Sequence, residues 1–237
     1  MRVAIADDDP ELLKQLSGAM AQTKHQCEAF RNGNELLTSL RRETYDVVLV
    51  DWNMPGKTGL GIIEWAVENL EKPPAFILLT SRSDKSDVVR GLEAGAVDYV
   101  VKPESHEVIL ARLEAANRRL RPPEADRFSV FGDYEIDRLL KKVSWNGEQV
   151  KLTNKEVELA TLFFDNLNRP LSRAYIFGQV WGGVPDVESR TLDLHVSRIR
   201  SKLQLRPHHG FAIQTVFGFG YRMDRCNETS EADAPSL

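Results

Sequence analysis

Five short apolar runs, each followed by an amphipathic segment, occupy the first 120 residues, and this alternation constrains the fold more than any other property of the chain. Strands are predicted at Val3–Ala6, Cys27–Phe30, Val47–Val50, Phe76–Leu79 and Val97–Val101. Helices are predicted at Leu12–Ala21, Gly33–Leu40, Leu60–Asn69, Lys85–Ala94 and Glu107–Leu120, where apolar residues recur near every 3.6 positions. Strict alternation of this kind calls for an α/β fold, a doubly wound parallel five-stranded sheet covered on both faces. In such sheets ligands sit at the carboxyl edge of the strands. Four of the runs deliver chemistry to that edge. RVAIA ends in Asp7-Asp8-Asp9, YDVVLV in Asp51, AFILL in Thr80 and VDYVV in Lys102-Pro103.

Two acids, a hydroxyl and a lysine at one edge suit phosphoryl transfer to a carboxylate. The negative charge of the transferring group must be neutralised, and Mg2+ does so from a few carboxylates, waters and the phosphate itself. Asp8 and Asp51 are candidate ligands, with a backbone carbonyl just after Asp51. Lys102 offers a point charge for a phosphate oxygen, and the Thr80 hydroxyl offers a hydrogen bond. Asp51 is then the nucleophile. Taken singly, each residue has a plainer explanation: a strand-terminal Asp or Thr is often a helix cap, and Lys-Pro is often a turn. The constellation of four is what argues for chemistry.

The texture changes after residue 120. Residues 121–126, within a charged stretch holding Pro122 and Pro123, are predicted to link a first domain, 1–120, to a second, 127–225. Short strands are predicted at Phe128–Val130, Tyr134–Ile136, Lys142–Trp145 and Gln149–Leu152, with Asn146-Gly147 as a hairpin turn. Thr153 and Glu156 form a capping-box signature for a helix running through Phe164. Further helices are predicted at Arg173–Val180 and Glu188–Leu203, then a hairpin of Phe211–Val216 and Gly220–Met223. Residues 226–237 are predicted to be disordered.

Charge divides in the same place. The first 126 residues hold 16 basic and 21 acidic side chains, whereas 127–225 hold 15 basic and 11 acidic. A basic second half points to nucleic acid. At about 100° per residue, Leu192, Val196, Ile199 and Leu203 form one apolar stripe on the Glu188–Leu203 helix. Arg190, Thr191, Leu194, Ser197, Arg198 and Ser201 lie opposite, flanked by His195, Arg200 and Lys202. An apolar back with a basic, small-polar front suits a DNA major groove. No apolar run approaches the roughly 20 residues of a membrane span, and MRVAIADDD runs into acid too soon for a signal peptide. Two distant cysteines, Cys27 and Cys226, are expected to be reduced thiols of a cytoplasmic protein.

VAIADDDPELL, YDVVLVDWNMPGKTGL, ILLTSRS and GAVDYVVKP resemble the receiver domain of two-component response regulators across residues 1–120. The resemblance implies that Asp51 is the phosphoacceptor, that Asp7 and Asp8 are the acidic pair with Asp8 the direct metal ligand, and that Asn53 gives its carbonyl to Mg2+. It implies that Thr80 and Lys102 contact the phosphoryl group, that Tyr99 is the switch aromatic and that the small Ser81 leaves access. Glu104 stands where the family often has an aromatic. Val97 and Asp98 stand where it often has two acids.

LTNKEVELATLFFDNLNRPLSRAYIFGQVWG, SRTLDLHVSRIRSKL and TVFGFGYRM resemble the winged helix-turn-helix output domain of OmpR/PhoB-type regulators, an α+β fold. By that resemblance Arg190, Thr191, Leu194 and Arg198 face bases, Arg200 and Lys202 contact phosphates, Trp181 is structural and the last hairpin is the wing. Phe217 replaces the arginine common at the wing tip, leaving Arg222 and Arg225 as substitutes. The implied partners are a sensor histidine kinase, double-stranded DNA with tandem half-sites and a second copy of the chain on activation. In the dimer face the family's basic–acidic pair is here Val88 and Val108, while Asp98 and Arg112 keep a second pair. A phosphoaspartyl hydrolase is the enzyme alternative, but Asn53 replaces the second acid such enzymes use, so no enzyme activity is expected. A constitutive DNA-binding protein with a vestigial receiver is opposed by the complete acid–hydroxyl–lysine set.

Overall fold

Burial without charge turns the five apolar runs of the first half into adjacent parallel strands. In the computed structural model these are β1 (Arg2–Ala6), β2 (Gln26–Phe30), β3 (Val47–Asp51), β4 (Ala75–Thr80) and β5 (Asp98–Val101), in the order β2-β1-β3-β4-β5. The helices between them are α1 (Pro10–Ala21), α2 (Gly33–Leu40), α3 (Gly59–Asn69), α4 (Lys85–Glu93) and α5 (His106–Leu120). The structure describes residues 1–81, 85–120, 127–182 and 189–226. The expected linker 121–126, most of the loop 181–187 and all of the expected disordered tail but Cys226 lie outside them. The chain divides into two units, Met1–Pro123 and Glu124–Leu237.

Both faces of the first sheet are covered, as continuous apolar strands require. One core holds Val48, Val50, Phe76 and Leu78 with Ile62 and Ile63 of α3; the other holds Val3, Ile5, Leu49 and Ile77 with Leu16 of α1 and Leu113 of α5. Helix starts differ from the predicted ones by a turn or less. Pro10 opens α1, two residues earlier than predicted, because Asp9 caps it by accepting from the Glu11 and Leu12 amides and Pro is at ease in a first turn. Val97 falls just outside β5 although its amide still bonds Phe76 O.

The second unit begins with an antiparallel sheet, β6 (Phe128–Phe131), β7 (Tyr134–Asp137), β8 (Lys142–Trp145) and β9 (Glu148–Gln149). Then come α6 (Asn154–Asp165), β10 (Leu171–Ser172), α7 (Arg173–Trp181), α8 (Ser189–Lys202), β11 (Phe211–Val216) and β12 (Gly220–Arg225). The Thr153 capping box is present, with the Thr153 amide donating to Glu156 at 2.7 Å. The β9 strand is shorter than predicted: Glu148 and Gln149 pair with β8, and the Val150 amide adds a last bond to Val143 O at 2.9 Å. A two-residue strand, β10, escapes prediction and adds to β12 through Leu171↔Tyr221 and Ser172↔Gly220. Phe163, Phe164, Ile176, Leu192, Val196, Ile199 and Leu203 join one core that holds the three helices and the last hairpin together.

Candidate functional site

At the carboxyl edge of the first sheet, Asp7 follows β1, Asp51 ends β3, Thr80 ends β4 and Lys102 follows β5. Parallel pairing fixes their relative heights, with Asp51 opposite Leu79 and Thr80 opposite Val101. The Lys102 ammonium donates to Asp7 Oδ2 at 2.5 Å and lies 3.0 Å from Asp51 Oδ1. The Asp51 carboxylate accepts from the Asn53 amide at 2.9 Å, and Asp7 from the Asp9 amide at 3.0 Å. Asp7 is 0% exposed and Thr80 1%, whereas Asp8 and Asn53 face solvent. Hence one buried acid orients the lysine, one nearly buried acid sits within its reach, and a second acid and a carbonyl remain open at the rim.

Burial pushes the Asp51 carboxyl above its ordinary pKa, and the hydrogen bond and charge of Lys102 only partly offset this. For Lys102, burial opposes the ammonium, but hydrogen bonds to Asp7 and Asp51 prevail and hold its pKa above the usual lysine value. Backbone packing adds a constraint that sequence reading missed. A Cβ on Gly59 would lie 2.2 Å from Asp51 O, so only glycine lets the start of α3 close over the acceptor, where its amide bonds Trp52 O at 3.1 Å. The motif GKTGL holds this glycine, but its need is visible only in three dimensions.

Tyr99 is half-buried and meets Trp52 edge-on, with ring centroids 6.4 Å apart. Trp52 adjoins Asp51 in the chain, so one ring separates Tyr99 from Asp51. On the α4–β5–α5 side, Arg112 donates to both oxygens of Asp98, at 2.8 and 3.1 Å. Val108 is 36% exposed and Val88 half-buried; Val89, at 51%, is the more exposed valine of α4.

In the second unit, Leu192, Val196, Ile199 and Leu203 are buried as their spacing predicts, leaving Arg190, Leu194, Ser197, Arg198 and Ser201 exposed and Thr191 half-buried. Arg190 and Arg198 have no partner among the described residues. Two flanking cations depart from expectation. Lys202 Nζ donates to both oxygens of Glu156, at 2.8 and 3.0 Å, and Glu156 is 1% exposed. Arg200 donates to Ile213 O at 2.7 and 3.1 Å. Both cations therefore help to hold α8 against α6 and β11. Arg222 is held by Asp224 at 2.5 Å, and Arg225 pairs with Phe211 at the base of the hairpin, away from its tip. Trp181 is structural, stacking on Phe177 and meeting His195 edge-on.

One group escaped the sequence reading. Asp193 on α8 accepts from Tyr221 Oη at 2.5 Å and from Arg173. The Tyr221 hydroxyl, ahead of the Arg173 guanidinium, keeps its carboxyl below the usual range. The signal was an acid on an otherwise basic helix face.

No helix among the described residues is long and apolar enough to cross a membrane. Residues 3–114 match the response regulator receiver domain family, and residues 147–223 match the C-terminal domain family of transcriptional regulatory proteins. The chain is 33% identical over 221 residues to the DNA-binding response regulator MtrA of Mycolicibacterium smegmatis, covering 93% of this chain and 96% of MtrA. It is 32% identical to the probable transcriptional regulator ycf27 of Cyanophora paradoxa, covering 93% and 95%. Among solved structures, DrrB, a Thermotoga maritima OmpR/PhoB homologue, is 30% identical, with coverage of 94% and 98% and a TM-score of 0.46.

Proposed function

The chain belongs to the OmpR/PhoB family of DNA-binding response regulators, and within it we propose that Asp51 accepts a phosphoryl group from a sensor histidine kinase. The bridge from Asp7 through Lys102 to Asp51 carries this assignment. It places a cation where a phosphoryl oxygen would otherwise repel Asp51, and it does so at the one acid joined to both the lysine and an open rim. Asp7 orients Lys102. Thr80, at the end of β4, offers a hydroxyl to a second oxygen. Asp51 Oδ then attacks phosphorus, the bond to the kinase histidine nitrogen breaks, and an aspartyl phosphate forms.

The rim suits Mg2+. Asp8, Asp51 and the Asn53 carbonyl are hard oxygen donors, and Mg2+ commonly uses one or two carboxylates with waters and substrate phosphate. Waters and the phosphate itself would complete its coordination. When bound, the metal supplies charge neutralisation for the phosphoryl oxygens.

Phosphorylation biases a two-state receiver. Thr80 and Tyr99 are the switch residues, and the α4–β5–α5 face, through Val88, Asp98, Val108 and Arg112, forms the active dimer. The dimer then sets two copies of α8 on tandem DNA half-sites. Arg190, Thr191, Leu194 and Arg198 read bases, and the protein acts as a regulator without enzymatic turnover of its own.

Incubating the full chain with Mg2+ and a small acyl phosphodonor tests the acceptor. Intact mass should rise by one phosphoryl group, hydroxylamine should remove it, and Asp51→Asn should take up none. Phosphate retained on Asp51→Asn would overturn the assignment.

A further inference from the structure

Phe217 stands at the outermost point of the β11–β12 hairpin and is fully exposed, at 101%. We propose that this ring is an apolar wedge that enters the DNA minor groove beside the half-site and partly unstacks one base step. The assignment rests on α8 being the recognition helix. A lone exposed apolar side chain is ordinary; three features of its setting set this one apart.

The first is the turn. The Phe219 amide bonds Val216 O at 3.0 Å, closing Val216-Phe217-Gly218-Phe219. Gly218 has φ +69°, in the left-handed region, while Phe217 does not. That pattern is a type II turn with glycine at its third position and Phe217 at its second, the corner that projects outward. A leading corner occupied by a flat ring has the shape of a wedge.

The second is the anchoring. Tyr221 of β12 and Arg173 of α7 both grip Asp193 of α8, and Arg200 of α8 grips Ile213 of β11. The hairpin is thus tied to the helix through the Tyr221 side chain of β12 and the Ile213 carbonyl of β11. Tyr221 pairs with Thr215, and one further pair, Val216↔Gly220, precedes the tip. Phe217 therefore projects two residues past the tie, about 7 Å at strand rise. With α8 in the major groove, the proposal sets this tip, carried beyond the tie, in the neighbouring groove.

The third is charge. The tip carries no cation, Arg222 is neutralised by Asp224, and Arg225 is at the far end of the hairpin. An electrostatic grip on phosphate at this point has no residue to make it. Apolar side chains that enter the minor groove act instead by wedging between bases. Pyrimidine–purine steps unstack most easily, so they should be preferred at the wedge.

The test is selection from a randomised duplex pool by the full chain, phosphorylated with a small phosphodonor and Mg2+, in wild-type, Phe217→Ala and Phe217→Trp forms. Because the ring is fully exposed, none of these changes disturbs folding. All three should enrich the same core motif. Wild type and Phe217→Trp should also enrich a pyrimidine–purine step at fixed spacing from that core, and Phe217→Ala should not. On the selected duplex, 2-aminopurine placed at that step should brighten with wild type and stay dark with Phe217→Ala. Affinity should fall roughly tenfold, the scale of one lost base position, with the salt slope unchanged because no phosphate contact is lost. An unaltered flanking preference, affinity and 2-aminopurine signal in Phe217→Ala would overturn the wedge and leave the ring to a protein partner. Failure of wild type to enrich any core motif would instead overturn the recognition-helix reading, and the wedge with it.

Discussion

Lys102 and Lys202 perform the same electrostatic task in the two halves of this chain, with opposite consequences for function. Each ammonium reaches a carboxylate that is almost wholly buried, Asp7 in one case and Glu156 in the other. Lys102 also touches Asp51, the acid nearest the open rim, so its charge lies within reach of a ligand. Among the described residues Lys202 touches only Glu156, the acid of the α6 capping box, and its charge joins α6 to α8. The difference lies in the second partner. A cation that bridges a buried acid and an accessible one is poised for chemistry, whereas a cation that satisfies a single capping acid is a fastener.

Removing the first lysine should have the largest effect. In Lys102→Ala, Asp7 and Asp51 lose the charge between them. In EDTA the receiver should lose roughly 3 kcal/mol, the low end for a broken buried pair because the ammonium is partly exposed. Urea unfolding reads this directly, and Mg2+ should restore part of it. Uptake of phosphate from a small donor should slow by about a hundredfold, the scale of one lost preorganised charge. If stability and uptake both stay at wild-type levels, the bridge is incidental and the contrast between the two lysines fails.

Lys202→Ala should cost less, roughly 1.5–3 kcal/mol, the range for a hydrogen bond to a charged group, because the Thr153 amide still holds Glu156. Burial pushes the Glu156 pKa up, but Lys202 and the Thr153 cap outweigh it and hold it below the ordinary glutamate value. A folded pKa below the unfolded one stabilises the fold above the unfolded pKa. That stability is lost as pH falls through the folded value. The stability gap between wild type and Lys202→Ala should therefore be full near neutrality and close in acid. A gap that widens in acid would assign the pair the wrong sign.

Arg198→Ala provides the matching test on the DNA face. The side chain is exposed and has no partner among the described residues, so thermal stability should not change. Binding to a selected site should weaken by about 1–3 kcal/mol with relaxed preference at one base position. Equal loss on selected and random DNA would mean that Arg198 touches phosphate and that the orientation of α8 needs revising.

These contrasts also explain what the sequence made legible. In the receiver each functional group sits at the end of an apolar run, so strand order alone brings Asp7, Asp51, Thr80 and Lys102 together. The same logic recovers the buried stripe of α8, whose four members recur at helical spacing. It fails where roles depend on a partner distant in the chain. Arg198 and Lys202 are alike in spacing and charge, and only Glu156, 46 residues from Lys202, separates them. It fails again for Gly59, whose role is the absence of a side chain, and for β10, too short to show a period.

The smallest expected effect concerns the face through which we propose that two receivers meet. The resemblance to the family puts Val88 and Val108 where a salt-bridge pair is expected on the fourth and fifth helices, while Arg112 and Asp98 do pair. Val108 is exposed, as are Val89, Leu92, Val97 and Val101 nearby in the same elements and their approach. Apolar side chains thus extend across this surface. In a two-fold contact, Val88 of one copy would meet Val108 of the other. A rim ion pair contributes about 0–1 kcal/mol and is screened by salt; an apolar contact of similar size is not screened. Dimers of the phosphorylated receiver should therefore persist at high salt, when measured by sedimentation. Val108→Asp, at the more exposed position, should lower the dimer fraction without loss of folding. Val88→Asp, at a half-buried position, should lower it too, with some cost in stability. If both variants dimerise as wild type does, the valines lie outside the contact, and the apolar face serves another purpose.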